Sequence, residues 1–110
     1  MKKFLLLIHG EDRVVELTPT ESHAVVAKYR AWSQHLREEN RLIDSEGLKH
    51  DRRWLSNGGV SNSPADQSTE SIGGYFIFTA QDLDEATEIT KQCPALAHGG
   101  KVELCAVMDY

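Results

Sequence analysis

The chain is poor in the residues that mark disulfide scaffolds, collagen-like repeats and low-complexity segments. Its 110 residues include two cysteines, three prolines and eight glycines, and only 7% are aromatic. Small secreted domains that depend on disulfides carry many more cysteines. Cys93 and Cys105 also lack the CxxC or Cys/His spacing of a zinc site. We therefore predict two buried thiols in a reducing compartment.

Positive charge and long apolar runs are also scarce. There are 12 Lys and Arg against 17 Asp and Glu, a formal net charge of -5. The averaged field repels phosphate backbones and anionic lipids, so we expect neither nucleic acid nor membrane as a partner. The apolar run at residues 4–8 is shorter than the roughly 7–15 residues of a signal-peptide core. The sequence predicts a cytoplasmic protein.

What is present has the balance of a folded domain. Hydrophobic residues make up 40% of the chain and charged residues 26%, which is close to the ordinary globular composition. A chain of this length suits about one domain with one hydrophobic core. We therefore expect a single domain over residues 1–110.

The first part of the chain predicts a strand followed by a long amphipathic helix. Residues 4–8 are all apolar, which is typical of a strand buried on both faces. Thr18 offers a hydroxyl N-cap, Pro19 suits the first helical position, and Glu21 completes a capping box. We expect the helix to stop near Asn40. Its predicted inner face consists of Val25, Tyr29, Trp32 and Leu36.

A short hairpin is predicted in the middle of the chain. Residues 42–48 alternate in polarity and predict a second strand, with a bulge expected at Gly47. The turn residues Asn57-Gly58-Gly59 then separate two short strands, because Asn-Gly readily adopts the positive φ that tight hairpins need. The polar residues 61–71 predict a long loop.

The last part of the chain repeats the strand, helix, strand order. Residues 75–78 are an apolar strand, and Thr79 is expected to cap a second helix that ends before Pro94. Residues 102–108 predict the final strand. The predicted inner face of this helix consists of Leu83, Ala86, Ile89 and Cys93.

This order of elements predicts an α+β fold, the ferredoxin-like split βαβ arrangement. Its antiparallel sheet carries both helices on one face and leaves the other face bare. The strands at residues 4–8 and 75–78 are apolar at successive positions, so both of their faces need burial. Two helices can cover only one face, and a second copy of the chain is the simplest cover for the other. We expect a homodimer.

Several short motifs follow one another in a characteristic order and spacing. They are LLLIHGED, the T-P-x-E helix start, Glu46-Gly47-Leu48, Glu70-x-x-Gly73-Gly74-Tyr75, Asp84-Glu85-Ala86, and Gly99-Gly100-x-Val102-Glu103. Together they resemble the YCII-related proteins, in particular the DGPF-domain branch, over nearly the whole chain. The resemblance implies a subunit of the dimeric α/β-barrel superfamily, which agrees with the fold predicted above, and it implies little about activity.

The chain departs from the branch at the motif that names it. Where the branch has Asp-Gly-Pro-Phe, residues 62–65 read Asn-Ser-Pro-Ala, so the acid and the aromatic ring are lost. Glu70 is the nearest remaining acid in that loop. In the YCII-type branch, a helix histidine and an aspartate are suspected to form an acid/base pair, and one relative is a dehydrochlorinase. That resemblance points to His23, although the surrounding Arg-Pro-x-His pattern is absent here.

Titratable residues at the predicted strand ends are the candidates for chemistry. The five histidines form no HxH or HExxH pattern, so neither a metal nor another cofactor is predicted. His9 ends the first strand and His98 precedes the last, and imidazole exchanges protons near neutral pH. Glu46 or Glu70 can supply a carboxylate partner, and Tyr75 follows a glycine pair that lets a ligand approach.

Two functions follow from these residues. The first is a small-molecule enzyme that uses acid/base proton transfer, with His9, His23 and Glu70 as catalytic candidates. Glu46, Tyr75 and His98 would then bind the ligand. The alternative is a non-catalytic metabolite-binding or regulatory module, in which the same cavity senses a metabolite or the dimer docks on a partner.

Overall fold

A computed structural model describes residues 1–9, 18–49, 51–62, 72–97 and 99–109. Within these ranges the chain alternates strands with helices in the order expected for a split βαβ arrangement. The strands are β1 (Lys2–His9), β2 (Leu42–Gly47), β3 (Trp54–Ser56), β4 (Gly59–Ser61), β5 (Ile72–Ala80) and β6 (Lys101–Ala106). The helices are α1 (Pro19–Glu38), α2 (Leu83–Thr90) and α3 (Pro94–Ala97).

The main sheet has four antiparallel strands in the order β2-β5-β1-β6. This antiparallel sheet, together with the helices, confirms the predicted α+β class. The two apolar strands, β1 and β5, lie at the centre of the sheet, and the more polar β2 and β6 lie at its edges. Leu5 pairs with Ile77 on one side and Cys105 on the other. Leu7 pairs with Tyr75 and Glu103 in the same way. Since side chains alternate along each strand, these six residues share one face.

The helices cover the opposite face of the sheet and form a hydrophobic core with it. Phe78 and Leu6 are fully buried, and the ring of Trp32 meets Phe76 edge-on with centroids 4.8 Å apart. Helix α1 also contributes Leu36, which is fully buried, while Tyr29 packs at the margin. The predicted inner face of α1 is therefore confirmed.

Both ends of α1 are capped as the sequence indicates. The Thr18 hydroxyl accepts a hydrogen bond from the Glu21 amide at 3.2 Å, and the Glu21 carboxylate accepts one from the Thr18 amide at 3.3 Å. At the other end, Asn40 adopts a φ of 59°. The Arg41 amide then donates to the Leu36 carbonyl at 2.8 Å, which is the hydrogen bond of a Schellman motif.

The start of α2 differs from the prediction. Strand β5 continues through Thr79, which pairs with Lys3 of β1, so Thr79 is part of the ladder and does not cap the helix. The N-cap is Asp82, whose carboxylate accepts a hydrogen bond from the Glu85 amide at 2.8 Å. Leu83 is the first residue of the helix and is 52% exposed, whereas Ala86 is fully buried, so Leu83 does not belong to the buried inner face that the sequence predicted.

Arg41 ties α2 to the sheet at the end opposite His9. Its guanidinium donates to the Thr79 carbonyl at 3.1 Å and to the Glu85 carboxylate at 2.8 Å. Gln81 adds a backbone hydrogen bond to the same carboxylate at 3.0 Å. These donors, together with the positive charge, hold the pKa of Glu85 below its usual value.

Strands β3 and β4 form a separate two-stranded hairpin, which we call the arm (residues 54–61). The predicted turn is confirmed, although the positive φ, 129°, lies at Gly59, the last residue of the expected turn. Every residue of both strands is exposed. The arm therefore projects from the sheet and lies outside the hydrophobic core.

Candidate functional site

The face of the sheet that the described helices leave uncovered carries most of the described candidate residues. We call it the open face. Its apolar centre is only half-buried, whereas the neighbouring positions on the helix side are fully buried. Its members are Leu5, Leu7 and His9 of β1, Asp44 and Glu46 of β2, Tyr75 and Ile77 of β5, and Glu103 and Cys105 of β6.

A tyrosine and a carboxylate form the first polar pair on the open face. The Tyr75 hydroxyl donates a hydrogen bond to the Asp44 carboxylate at 3.0 Å. This bond raises the pKa of Tyr75, and partial desolvation and the negative charges of Asp44 and Glu46 act in the same direction. Tyr75 is therefore held in its protonated form as a hydrogen-bond donor.

The glycine before Tyr75 allows this pair to form. A Cβ atom at Gly74 would lie 2.9 Å from the Glu46 carbonyl oxygen, closer than side-chain carbons approach other atoms. Gly74 pairs with Gly47 across the two strands, so β2 and β5 run close together at this end of the sheet. The glycine pair therefore permits a close approach, and the approaching group is the backbone of β2.

A histidine and a carboxylate form the second polar pair. His9 Nε2 lies 3.2 Å from Glu103 Oε1, and the side chain of His9 is only 21% exposed. The Cys105 thiol lies 3.9 Å from the other oxygen of Glu103. Burial, followed by the charge of Glu103, raises the pKa of Cys105. Cys93 is buried as predicted, but Cys105 is partly accessible on the open face, which corrects that expectation.

The two polar pairs lie on either side of an apolar position. Leu7 pairs directly with both Tyr75 and Glu103. Adjacent strands are about 4.8 Å apart, so the strands that carry Tyr75 and Glu103 are separated by about 10 Å. A small molecule resting on Leu7 can thus reach a phenol donor on one side and an imidazole-carboxylate pair on the other.

The structure brings together three of the six candidates from the sequence. His9, Glu46 and Tyr75 share the open face, whereas His23 is exposed on α1, in the layer on the other side of the sheet. Glu70 and His98 lie outside the described residues.

Sequence reasoning missed Asp44 and Glu103 as partners in the site. Glu103 belongs to the Val102-Glu103 motif at the last strand, which was the available signal. Asp44 follows a register shift in β2 between Leu42 and Asp44, which replaces the bulge expected at Gly47. That shift decides which β2 side chains share the face of Tyr75, and periodicity alone does not reveal it.

Among the described residues, no group of three or more His, Cys, Asp or Glu side chains is arranged to hold a metal ion. None of the described helices is long and apolar enough to cross a membrane.

Comparison with known families gives a match over nearly the whole chain. The model of the YCII-related domain matches residues 2–110. The chain therefore belongs to the YCII-related family. A comparison with curated proteins finds no match.

Proposed function

We propose that the protein is a homodimeric small-molecule enzyme whose site lies on the open face and works by proton transfer. One observation carries the proposal: two polar pairs, His9 with Glu103 and Tyr75 with Asp44, flank the apolar Leu7 on one uncovered sheet face. The finer assignments to the DGPF-like branch and to the cytoplasm remain predictions from the sequence.

The half-buried apolar centre of the open face supports the dimer. Leu5, Leu7 and Ile77 lie on β1 and β5, the two central strands, each of which is paired with a neighbouring strand on both sides. Their side chains are half-buried. Covering apolar surface stabilises an assembly by about 25 cal/mol per Å². In a two-fold dimer the same patch meets itself, which encloses the polar pairs of both copies between two sheets.

The polar pairs support proton transfer near neutral pH. The imidazole of His9 can accept a proton from a bound molecule and return it, while the Glu103 carboxylate orients the ring and stabilises its charged form. Tyr75 keeps its single proton because its pKa is raised, and a substrate oxygen that takes the place of the Asp44 carboxylate would accept the hydrogen bond that Tyr75 donates to Asp44. Catalytic roles for His23 and Glu70 and a binding role for His98 remain predictions.

A non-catalytic metabolite-binding or regulatory module is the second candidate. The replacement of the branch's Asp-Gly-Pro-Phe by Asn-Ser-Pro-Ala at residues 62–65 favours it, because an acid is lost. In this reading the same polar pairs recognise a ligand and do not transform it.

A thermal-shift screen of metabolites separates the two functions. A ligand that binds the folded state raises the melting temperature, and analysis of the recovered ligand reports whether it was converted. We expect conversion by the wild-type protein and loss of conversion in His9→Gln. The matched control is His35→Gln, because His35 forms a comparable surface pair with Glu39, at 2.9 Å, on α1. Unchanged turnover in His9→Gln would remove His9 from the mechanism, and a stabilising ligand recovered intact would favour the binding module.

A further inference from the structure

We infer that the arm of each copy packs on the open face of a second copy, so that Leu55 and Val60, which share one face of the hairpin, complete the small-molecule site there. This inference rests on the proposed function, and it adds that the site is built from two chains. In such a dimer the apolar centres of the two sheets meet, and the hairpin at residues 54–61 covers the end of the partner's open face that holds the polar pairs.

The arm carries apolar side chains that nothing in the described part of its own chain buries. Leu55 is 74% exposed, Val60 is 65% exposed, and Trp54 is 37% exposed. Leu55 pairs directly with Val60, so these two side chains share one face of the hairpin. An isolated two-stranded hairpin is at best marginally stable in water. The arm therefore needs an apolar surface to pack against.

The arm arises from the end of the sheet that holds the polar pairs. Arg52, just before β3, donates to the Lys49 carbonyl at 3.0 Å and to the Ile72 carbonyl at the start of β5. Ile72 pairs with His9 of β1. The base of the arm is thus fixed beside His9, while its two strands extend away from the sheet.

Charge favours the open face of a second copy as the surface that receives the arm. The base of the arm carries three cations, Lys49, Arg52 and Arg53, and one anion, Asp51, so it has a net positive charge. The open face carries the carboxylates Asp44, Glu46 and Glu103, with its own cations, Lys3 and Lys101, at its ends. Opposite charges on two surfaces favour their association in a defined orientation.

The two surfaces are complementary and belong to the same chain. In a two-fold arrangement the arm of each copy packs on the open face of the other, so that both arms and both open faces are covered. An unrelated partner would have to supply both an apolar hairpin and an apolar sheet face, which a second copy already has.

A cross-linking experiment tests this arrangement with a native thiol. Cys105 is partly accessible on the open face, and Cys93 is buried. A Leu55→Cys variant treated with a short bismaleimide is expected to give a covalent dimer, and adding Cys105→Ser is expected to abolish it. Val26→Cys is the control, because Val26 is 46% exposed on α1, on the other side of the sheet.

Three results would overturn the inference. The first is that Leu55→Cys gives no more covalent dimer than the wild-type chain, and the second is that adding Cys105→Ser leaves the yield of covalent dimer unchanged. The third is that both thiols react with the bismaleimide while the mass stays that of one chain, which would show that the arm closes on its own sheet. Sedimentation of the untreated protein separates this failure from that of the proposed function. A dimer that does not cross-link contradicts only the arm, whereas a monomer contradicts both.

Discussion

Both faces of the central strands β1 and β5 carry apolar side chains, but the structure buries the two faces to different degrees. On the helix side, Phe4 is 1% exposed and Leu6 is fully buried, whereas Leu5 and Leu7 on the open face stay half-buried. The described polar pairs that we assign to the site all lie on the open face. Burial on one side holds the fold together, and the other side keeps apolar surface and polar groups available for a partner and a ligand.

Shortening the side chains at two adjacent positions of β5 should give the largest difference in the free energy of unfolding between the two faces. Phe78→Ala should lower the free energy of unfolding by about 3–5 kcal/mol, because it opens a cavity under the helices. Ile77→Ala on the open face should have a smaller effect that shrinks on dilution, since its contacts lie between copies and are lost from both proteins once the dimer dissociates. Urea denaturation at several protein concentrations measures both. Equal, concentration-independent losses would contradict the distinction between the faces.

A methyl group added to β5 should have the next largest effect. Gly74→Ala places a Cβ 2.9 Å from the Glu46 carbonyl oxygen, so β2 must shift, at a cost of about 1–3 kcal/mol. Gly47→Ala is the control, because nothing lies within 4 Å of a Cβ at that paired position. The measurement is again the free energy of unfolding. A Gly74→Ala variant as stable as Gly47→Ala would show that the strands are not closely packed there.

The tyrosine pair gives a smaller, spectroscopic effect. Asp44→Ala removes the hydrogen bond and the charge that raise the pKa of Tyr75, so Tyr75 should ionise at lower pH. Ultraviolet titration of tyrosinate measures the change, and Tyr75→Phe identifies which transition belongs to Tyr75. An unchanged titration in Asp44→Ala would mean that the two side chains do not interact in solution.

The smallest effect is expected at the far end of the sheet. Because the folded-state pKa of Glu85 is lowered, its contribution to stability is complete above its ordinary value of 4.5 and is lost as the pH falls through the lowered value. Glu85→Gln should therefore be less stable than the wild type at neutral pH, with a difference that shrinks under acid conditions. Urea denaturation across this range measures it, and a difference independent of pH would contradict the assigned cause.

Local signals in the sequence predicted where the first long helix begins and ends. The capping box at Thr18 and the left-handed Asn40 depend on neighbours in the chain, and both are confirmed. The cap of α2 could not be predicted in the same way. Thr79 and Asp82 are both good N-caps, and pairing with Lys3, which is distant in sequence, placed Thr79 in a strand.

The candidate site depended still more on distant contacts. His9, Glu46 and Tyr75 could be proposed as polar residues at predicted strand ends, and the structure places them on one face. Their nearest polar partners could not be predicted, because Glu103 meets His9 only through the register of β1 and β6. The exposure of Cys105 depends equally on which face of the sheet the helices cover.

Sedimentation velocity at micromolar concentration tests most directly whether the open face is covered by a second copy. The chain has a mass of 12.3 kDa. We expect a single species of twice that mass, which Leu7→Asp on the open face dissociates into folded monomers. A wild-type protein that sediments as one chain throughout this concentration range would contradict the account.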